Sequence, residues 1–173
     1  MIRKAELSDI DAIAATYTSL LQYEQAHGSN SHWVLGVYPT RAVPEAKVPT
    51  GTMYVLEDEA GQLCASMILN QEQAPEYDLI PWQLKARREE VFVIHTLCIP
   101  PQQAGKGYGR QMVEFAKAKA REAGCSVMRI DTHAENFPAQ RLYKKLGFTI
   151  AGYGPAMLNG LLPLQLVFLE CEL

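Results

Sequence analysis

The chain has 173 residues, 48% of them apolar and 20% charged, and a net charge of −3. That length suits one well-cored domain, at roughly 100–200 residues per domain, and the acidic balance without any Lys/Arg run argues against a partner that is read through its phosphate backbone. No run of roughly 18 apolar residues offers a membrane span, and Met1-Ile-Arg-Lys-Ala-Glu6 lacks the apolar core of a signal peptide. The expectation is a single domain over residues 1–173 in the cytoplasm, with neither nucleic acid nor membrane as partner.

Ile2-Arg-Lys-Ala-Glu6 alternates weakly and reads as a short strand. Ser8 stands three residues before Asp11, a capping-box spacing, ahead of Ile10, Ile13, Ala14, Tyr17 and Leu21 at helical intervals, so a helix is expected to run to about Gly28. Between Ser29 and Gly51, Pro39, Pro44 and Pro49 leave room for one short helix. Met53-Tyr-Val-Leu-Glu57 and Leu63-Cys-Ala-Ser-Met-Ile-Leu69 flank Asp58-Glu-Ala-Gly-Gln62 and read as a hairpin turning at Gly61. The stretch from Asn70 to Arg88, with Pro75 and Pro81, is a long excursion of a kind that is often functional.

The centre of the chain is a strand, a glycine loop and a helix. Val91 to Ile99 is rich in β-branched and apolar residues, Pro100 and Pro101 stop it, Gly105, Gly107 and Gly109 alternate, and Arg110 to Ala120 reads as a helix ending before Gly124. Ser126 to Asp131 is a second strand, joined in β-α-β fashion and hence parallel to the first. Asn136 caps a further helix with Pro138 in its first turn, Ala139, Leu142, Tyr143 and Leu146 on one stripe, and Gly147 past its end. Phe148 to Tyr153 and Leu164 to Glu170 close the chain as strands. Together the elements predict one α/β domain on a mixed sheet. Cys64, Cys98, Cys125 and Cys171 lie far apart with no C-x-x-C pair, so reduced thiols and no metal are expected.

Glycines let the backbone approach a ligand, and the first N–H groups of a helix have no partner within it. With the helix dipole they form an anion site, which points to a phosphate or pyrophosphate. The dinucleotide fingerprint needs a glycine where Arg110 stands, and the nucleotide-triphosphate loop needs Ser or Thr where Gly107 stands. Both readings fail, and a nucleotide-binding protein is disfavoured with them.

The run Ile94-His-Thr-Leu-Cys-Ile-Pro-Pro-Gln-Gln-Ala-Gly-Lys-Gly-Tyr-Gly109, followed by Asp131-Thr-His-Ala-Glu-Asn136 and Ala139-Gln-Arg-Leu-Tyr-Lys-Lys-Leu-Gly-Phe148, resembles the GNAT-type N-acetyltransferases. The resemblance is strong over about residues 90 to 150. It implies a mixed, mostly antiparallel sheet of six to seven strands with a central parallel pair and helices on both faces. It also implies acetyl-CoA as co-substrate, no metal, and a small-molecule or peptide amine as acceptor. A homodimer is an allowed assembly. In the family the loop follows Arg/Gln-x-x-Gly-x-Gly; its last two glycines fall on Gly107 and Gly109, and its first position falls on Ala104, where Gln103 alongside is the available substitute.

On that resemblance the pyrophosphate meets the amides of Gly105, Lys106, Gly107, Tyr108, Gly109 and Arg110, with Lys106 and Arg110 as charges. The strand before the loop splays from its parallel neighbour, which frees backbone groups around Leu97, Cys98 and Ile99 for the pantetheine arm. Asn136 and Ala139 are expected near the sulfur end. Leu97 N–H is the expected oxyanion donor, and Tyr143 matches the general acid that protonates the leaving thiolate. His95 is the candidate base: it sits mid-strand among apolar residues, an unperturbed imidazole pKa of roughly 6.5 suits the task, and its placement resembles the base of the arylalkylamine acetyltransferases. Many relatives use a Glu where Val93 stands here. Glu57, Glu72, Glu76 and His133 are rivals, and core packing is the plain alternative for both His95 and Tyr143. Trp33, Tyr38, Tyr77 and Trp82 in the two irregular stretches, with Glu72, Glu76 and Asp78, would suit a cationic acceptor beside an apolar group. An arylalkylamine, a polyamine, an amino acid and a peptide N-terminus all fit. A catalytically silent CoA-binding sensor or interaction domain is the alternative from another class.

Overall fold

A computed structural model describes all 173 residues. The strands β1 (Ile2–Lys4), β2 (Met53–Glu57), β3 (Leu63–Asn70), β4 (Val91–Cys98), β5 (Val127–His133), β6 (Thr149–Leu158) and β7 (Leu162–Glu172) form one seven-stranded sheet in the order β1-β2-β3-β4-β5-β7-β6. The expected parallel pair is there: β4 and β5 run together from Val91↔Val127 to Ile94↔Ile130. The pairs β1·β2, β2·β3, β5·β7 and β6·β7 are antiparallel. Four helices accompany them, α1 (Ile10–His27), α2 (Ala42–Lys47), α3 (Tyr108–Glu122) and α4 (Phe137–Lys145). The sequence placed the last two strands but not their order; β7 enters between β5 and β6, pairing Arg129↔Glu170 on one side and Ile150↔Leu169 on the other.

The chain divides into two compact units, one of Met1–Ser29, Trp33–Leu69 and Thr96–Met112, the other of Asn30–His32, Asn70–His95 and Val113–Leu173. The first buries Ile13 and Tyr17 of α1 with Met53, Val55, Ile68 and Cys98. A helix start is present, but not where the Ser8 and Asp11 spacing puts it. The box forms two residues earlier, on the 3₁₀ turn Leu7–Asp9 that leads into α1, with the Glu6 N–H donating to Asp9 Oδ2 at 2.7 Å. Asp9 is placed for this because Arg3 on β1 also pairs with it, at 2.7 Å, which holds its carboxyl below the usual carboxylate range. In the β2–β3 hairpin the turn is fixed by Asp58, whose Oδ1 accepts from the N–H of Ala60 and of Gln62 at 2.9 Å each.

The second unit buries Val91, Val93, Val127 and Phe168 beneath Tyr77, Ile80 and Trp82 of the excursion. That excursion carries two 3₁₀ turns, Pro75–Leu79 and Arg88–Glu90. All four cysteines are free and buried, as the spacing predicts. Burial pushes the Cys98 thiol up to about 12, so it is inert at neutral pH. No helix is long and apolar enough to cross a membrane.

Candidate active site

In the first unit, Gly105 and Gly107 both lie in the left-handed region, at φ +76° and +81°. A side chain at either would be strained there, and this conformation turns successive N–H groups toward one side. None of the six amides from Gly105 to Arg110 donates to an acceptor of the chain; the first that does is Gln111 N–H, to Gly107 O at 3.1 Å. The α3 N-terminus and the loop together therefore hold a row of unused donors, exposed at Gly105, Lys106, Gly107 and Arg110 and enclosed at Gly109, beside the exposed side chains of Lys106 and Arg110. Gln103, the suggested stand-in for the missing family residue, is buried and accepts from Lys106 Nζ at 2.8 Å. Its side chain pins the loop from beneath. Ala104 offers only backbone.

The strand leading into this loop contains a residue that the sequence did not single out. Thr96 has φ +49°, a left-handed β-branched residue inside β4. Such a residue costs roughly 1–2 kcal/mol and re-aims the peptide that follows it, here the one preceding Leu97. Its hydroxyl is bonded to the Tyr38 hydroxyl, whose ring meets the edge of Trp33 at 5.9 Å. The irregular stretch between Ser29 and Gly51 thus reaches β4 through Tyr38. Cys98 turns its side chain into the core, while Leu97 and Ile99 are half-buried.

In the second unit, His95 is half-buried and its Nε2 lies 3.0 Å from Asn70 Oδ1. That oxygen also accepts the Glu72 N–H at 2.9 Å, which fixes the amide orientation. Nε2 must then carry the proton. Nothing in the sequence paired Asn70 with His95, because the two lie on different strands.

Tyr143 sits on the buried stripe of α4, 5% exposed, with its ring 5.9 Å from that of Phe148. Its hydroxyl makes no hydrogen bond to the chain. Burial first, and the nearby Asp131 charge second, raise its pKa, so it stays protonated through neutral pH. Asn136 caps α4 as expected, accepting from Ala139 N–H at 3.3 Å and donating to Thr132 Oγ1 at 2.9 Å. The cap thus engages the carbonyl of Asn136 and the amide of Ala139.

Two of the four rival bases, Glu57 and His133, have other engagements. Glu57 is paired with Arg3; Asp78, of the acidic cluster in the excursion, is paired with Arg88 at 2.9 Å. His133 stacks on His32, centroids 3.5 Å apart and planes within 13°. With Glu135 these two histidines form a group whose ligand atoms lie within 4.8 Å of one another, which the sequence spacing did not reveal. Near-parallel stacked rings aim their in-plane lone pairs along separate planes, and His133 Nδ1 already accepts the Glu135 N–H at 3.2 Å, so the trio is poorly built for a metal. Burial, then the neighbouring His32, lower the His133 pKa. A lowered histidine stabilises the fold above its unfolded pKa of roughly 6.5 and loses that contribution as pH falls through the folded value. Melting curves should therefore drop between about pH 7 and pH 5 more steeply in the wild type than in His133→Gln; parallel curves would show that the stack carries no such linkage.

The family model of the acetyltransferase (GNAT) family matches residues 15–148. Among curated proteins, a streptothricin acetyltransferase of Escherichia coli is 31% identical over 102 residues, which cover 57% of this chain and 55% of that protein. The matched stretch is thus about half of each. Among solved structures, a GNAT-family acetyltransferase of Streptococcus agalactiae superimposes with a TM-score of 0.79 at 21% identity, covering 100% of this chain and 95% of its own. The yncA protein of Salmonella typhimurium, solved with its cofactor acetyl-CoA, gives 0.67 at 22% identity, with 99% of this chain and 92% of that one covered. Strand order, parallel pair, glycine loop and family match agree, and the chain belongs to the GNAT family of acetyltransferases.

Proposed function

We propose that this chain moves an acetyl group from acetyl-CoA to a primary amine of a small molecule, by direct attack in a ternary complex. The observation that carries this reading is the row of six unpartnered amides from Gly105 to Arg110, donors that a pyrophosphate satisfies. His95 takes the proton that the attacking amine must lose. Leu97 N–H, aimed by the left-handed Thr96, meets the oxyanion of the tetrahedral intermediate. As that intermediate collapses, the C–S bond breaks and Tyr143 gives its proton to the departing thiolate. The match to a streptothricin acetyltransferase makes streptothricin the first acceptor to test. An amine panel, streptothricin included, with acetyl-CoA and thiol detection is the direct assay; no thiol release above hydrolysis with any amine would favour a silent CoA-binding domain.

The loop assignment is tested by Gly107→Val. A Cβ at Gly107 meets no atom within 4 Å, so the cost is conformational: a β-branched residue cannot hold φ +81°, and the flanking amides must rotate. Losing one or two charge-assisted hydrogen bonds at roughly 1.5–3 kcal/mol each weakens acetyl-CoA binding at least about 10-fold by calorimetry, with a melting loss of only a few degrees. Unchanged affinity would place the pyrophosphate elsewhere.

A further inference from the structure

We infer that Asp131 selects the acceptor, and that it does so by binding the amine as an ammonium ion. The inference rests on the acetyl-transfer reading above and adds the residue and the charge class. Asp131 lies on β5, and its Oδ2 accepts the Tyr77 hydroxyl at 2.7 Å. Tyr77 is itself a fixture, 2% exposed, its carbonyl accepting Trp82 Nε1 at 2.7 Å and its ring set edge-on to Phe168 at 5.3 Å. The carboxylate is therefore held in one orientation, while Oδ1 accepts no hydrogen bond from the chain.

No cation of the protein pairs with Asp131. Arg129, two residues along the same strand, donates to Gln73 Oε1 at 2.7 Å and lies over the Trp82 ring at 3.9 Å. Arg88 is taken by Asp78. The other charge that acts on Asp131 is Glu76, of the same sign, and together with burial it raises the Asp131 carboxyl above its ordinary value. Asp131 is half-buried, so Oδ1 stays within reach of a ligand, and a partly desolvated carboxylate without a cationic partner is stabilised by a bound cation.

Tyr143 is the neighbour that bears on the chemistry: its ring is buried, its hydroxyl has no partner in the chain, and the Asp131 charge contributes to its raised pKa. The group proposed to protonate the thiolate and the unpaired carboxylate thus share their surroundings. A cation bound by Asp131 lies next to the reaction, as the acceptor must. The ammonium enters paired with Asp131, and its proton leaves to His95 before attack.

The test is a selectivity ratio. With streptothricin as the amine that is charged at neutral pH and hydroxylamine as an uncharged one, kcat/KM is measured for the wild type and for Asp131→Asn. Removing the charge from one side of a half-buried ion pair predicts that the ratio of streptothricin to hydroxylamine falls at least about 30-fold, and that Asp131→Glu restores most of it. A ratio within threefold of the wild type, or an equal fall for both acceptors, overturns the inference while leaving acetyl transfer intact. Wild-type protein that acetylates no amine overturns the transferase reading instead, and the inference with it. Should Asp131→Asn not fold, Tyr77→Phe releases the carboxylate while keeping the ring, and the same ratio is expected to fall by a smaller factor; no change there counts against Asp131.

Discussion

Tyr143→Phe is expected to lower kcat by about 10²–10⁴-fold while acetyl-CoA affinity stays near that of the wild type. The hydroxyl has no hydrogen-bond partner in the chain, so its removal strands no buried group, and the ring keeps its place beside Phe148. Stability should accordingly move by less than about 1 kcal/mol. The raised pKa matters to the chemistry as well: a phenol that ionised near neutral pH would have no proton to give, whereas burial and the Asp131 charge keep this one loaded. An acyl donor with a better leaving thiol should be less sensitive to the change, because its thiolate needs less help. Near-normal kcat combined with a melting point several degrees lower would show that Tyr143 is a packing residue and that water or another group is the acid.

His95→Ala should lower the rate at neutral pH by a comparable factor, roughly 10²-fold or more, and the deficit should shrink as pH approaches about 10, where the acceptor amine is free without assistance. The substitution also removes a donor from Asn70 Oδ1, which keeps the Glu72 N–H. His95→Gln separates the two effects, since its amide can still donate to Asn70 but cannot take a proton. If both variants show the same pH-dependent loss, proton transfer is the role. If His95→Gln is as active as the wild type at neutral pH, or if neither profile changes, the base is a different group, and Glu72 and Glu76 become the next to test.

The distribution of what could be read early and what could not follows the range of the forces involved. Gly105, Gly107 and Gly109 after two prolines are legible because left-handed backbone and helix stopping are local demands that fall on particular residue types. The Asn136 cap is legible for the same reason, and so is the parallel β4–β5 pair, since a β-α-β connection leaves one direction open. The Ser8 spacing misled because a capping box depends on which acid is held in place, and Arg3 holds Asp9. Thr96 was invisible because threonine has no preference for positive φ; the surrounding strand and the Tyr38 hydroxyl impose it.

The sequence by itself determined the order of elements, the glycine loop and, through the two motifs, the family. Tertiary structure alone decided the partners: Asn70 on His95, Tyr77 on Asp131, His32 on His133, and β7 between β5 and β6. Each of these joins residues from separate elements of the chain, and a hydrogen bond formed across such a gap leaves no periodicity or spacing in the residues that make it. What fixes it is burial, which forces a polar group enclosed by the fold to find whatever partner the packing brings within reach. The tautomer of His95 and the protonated state of Tyr143 are set in that way, so the residue types were legible in the sequence and their chemical states were not.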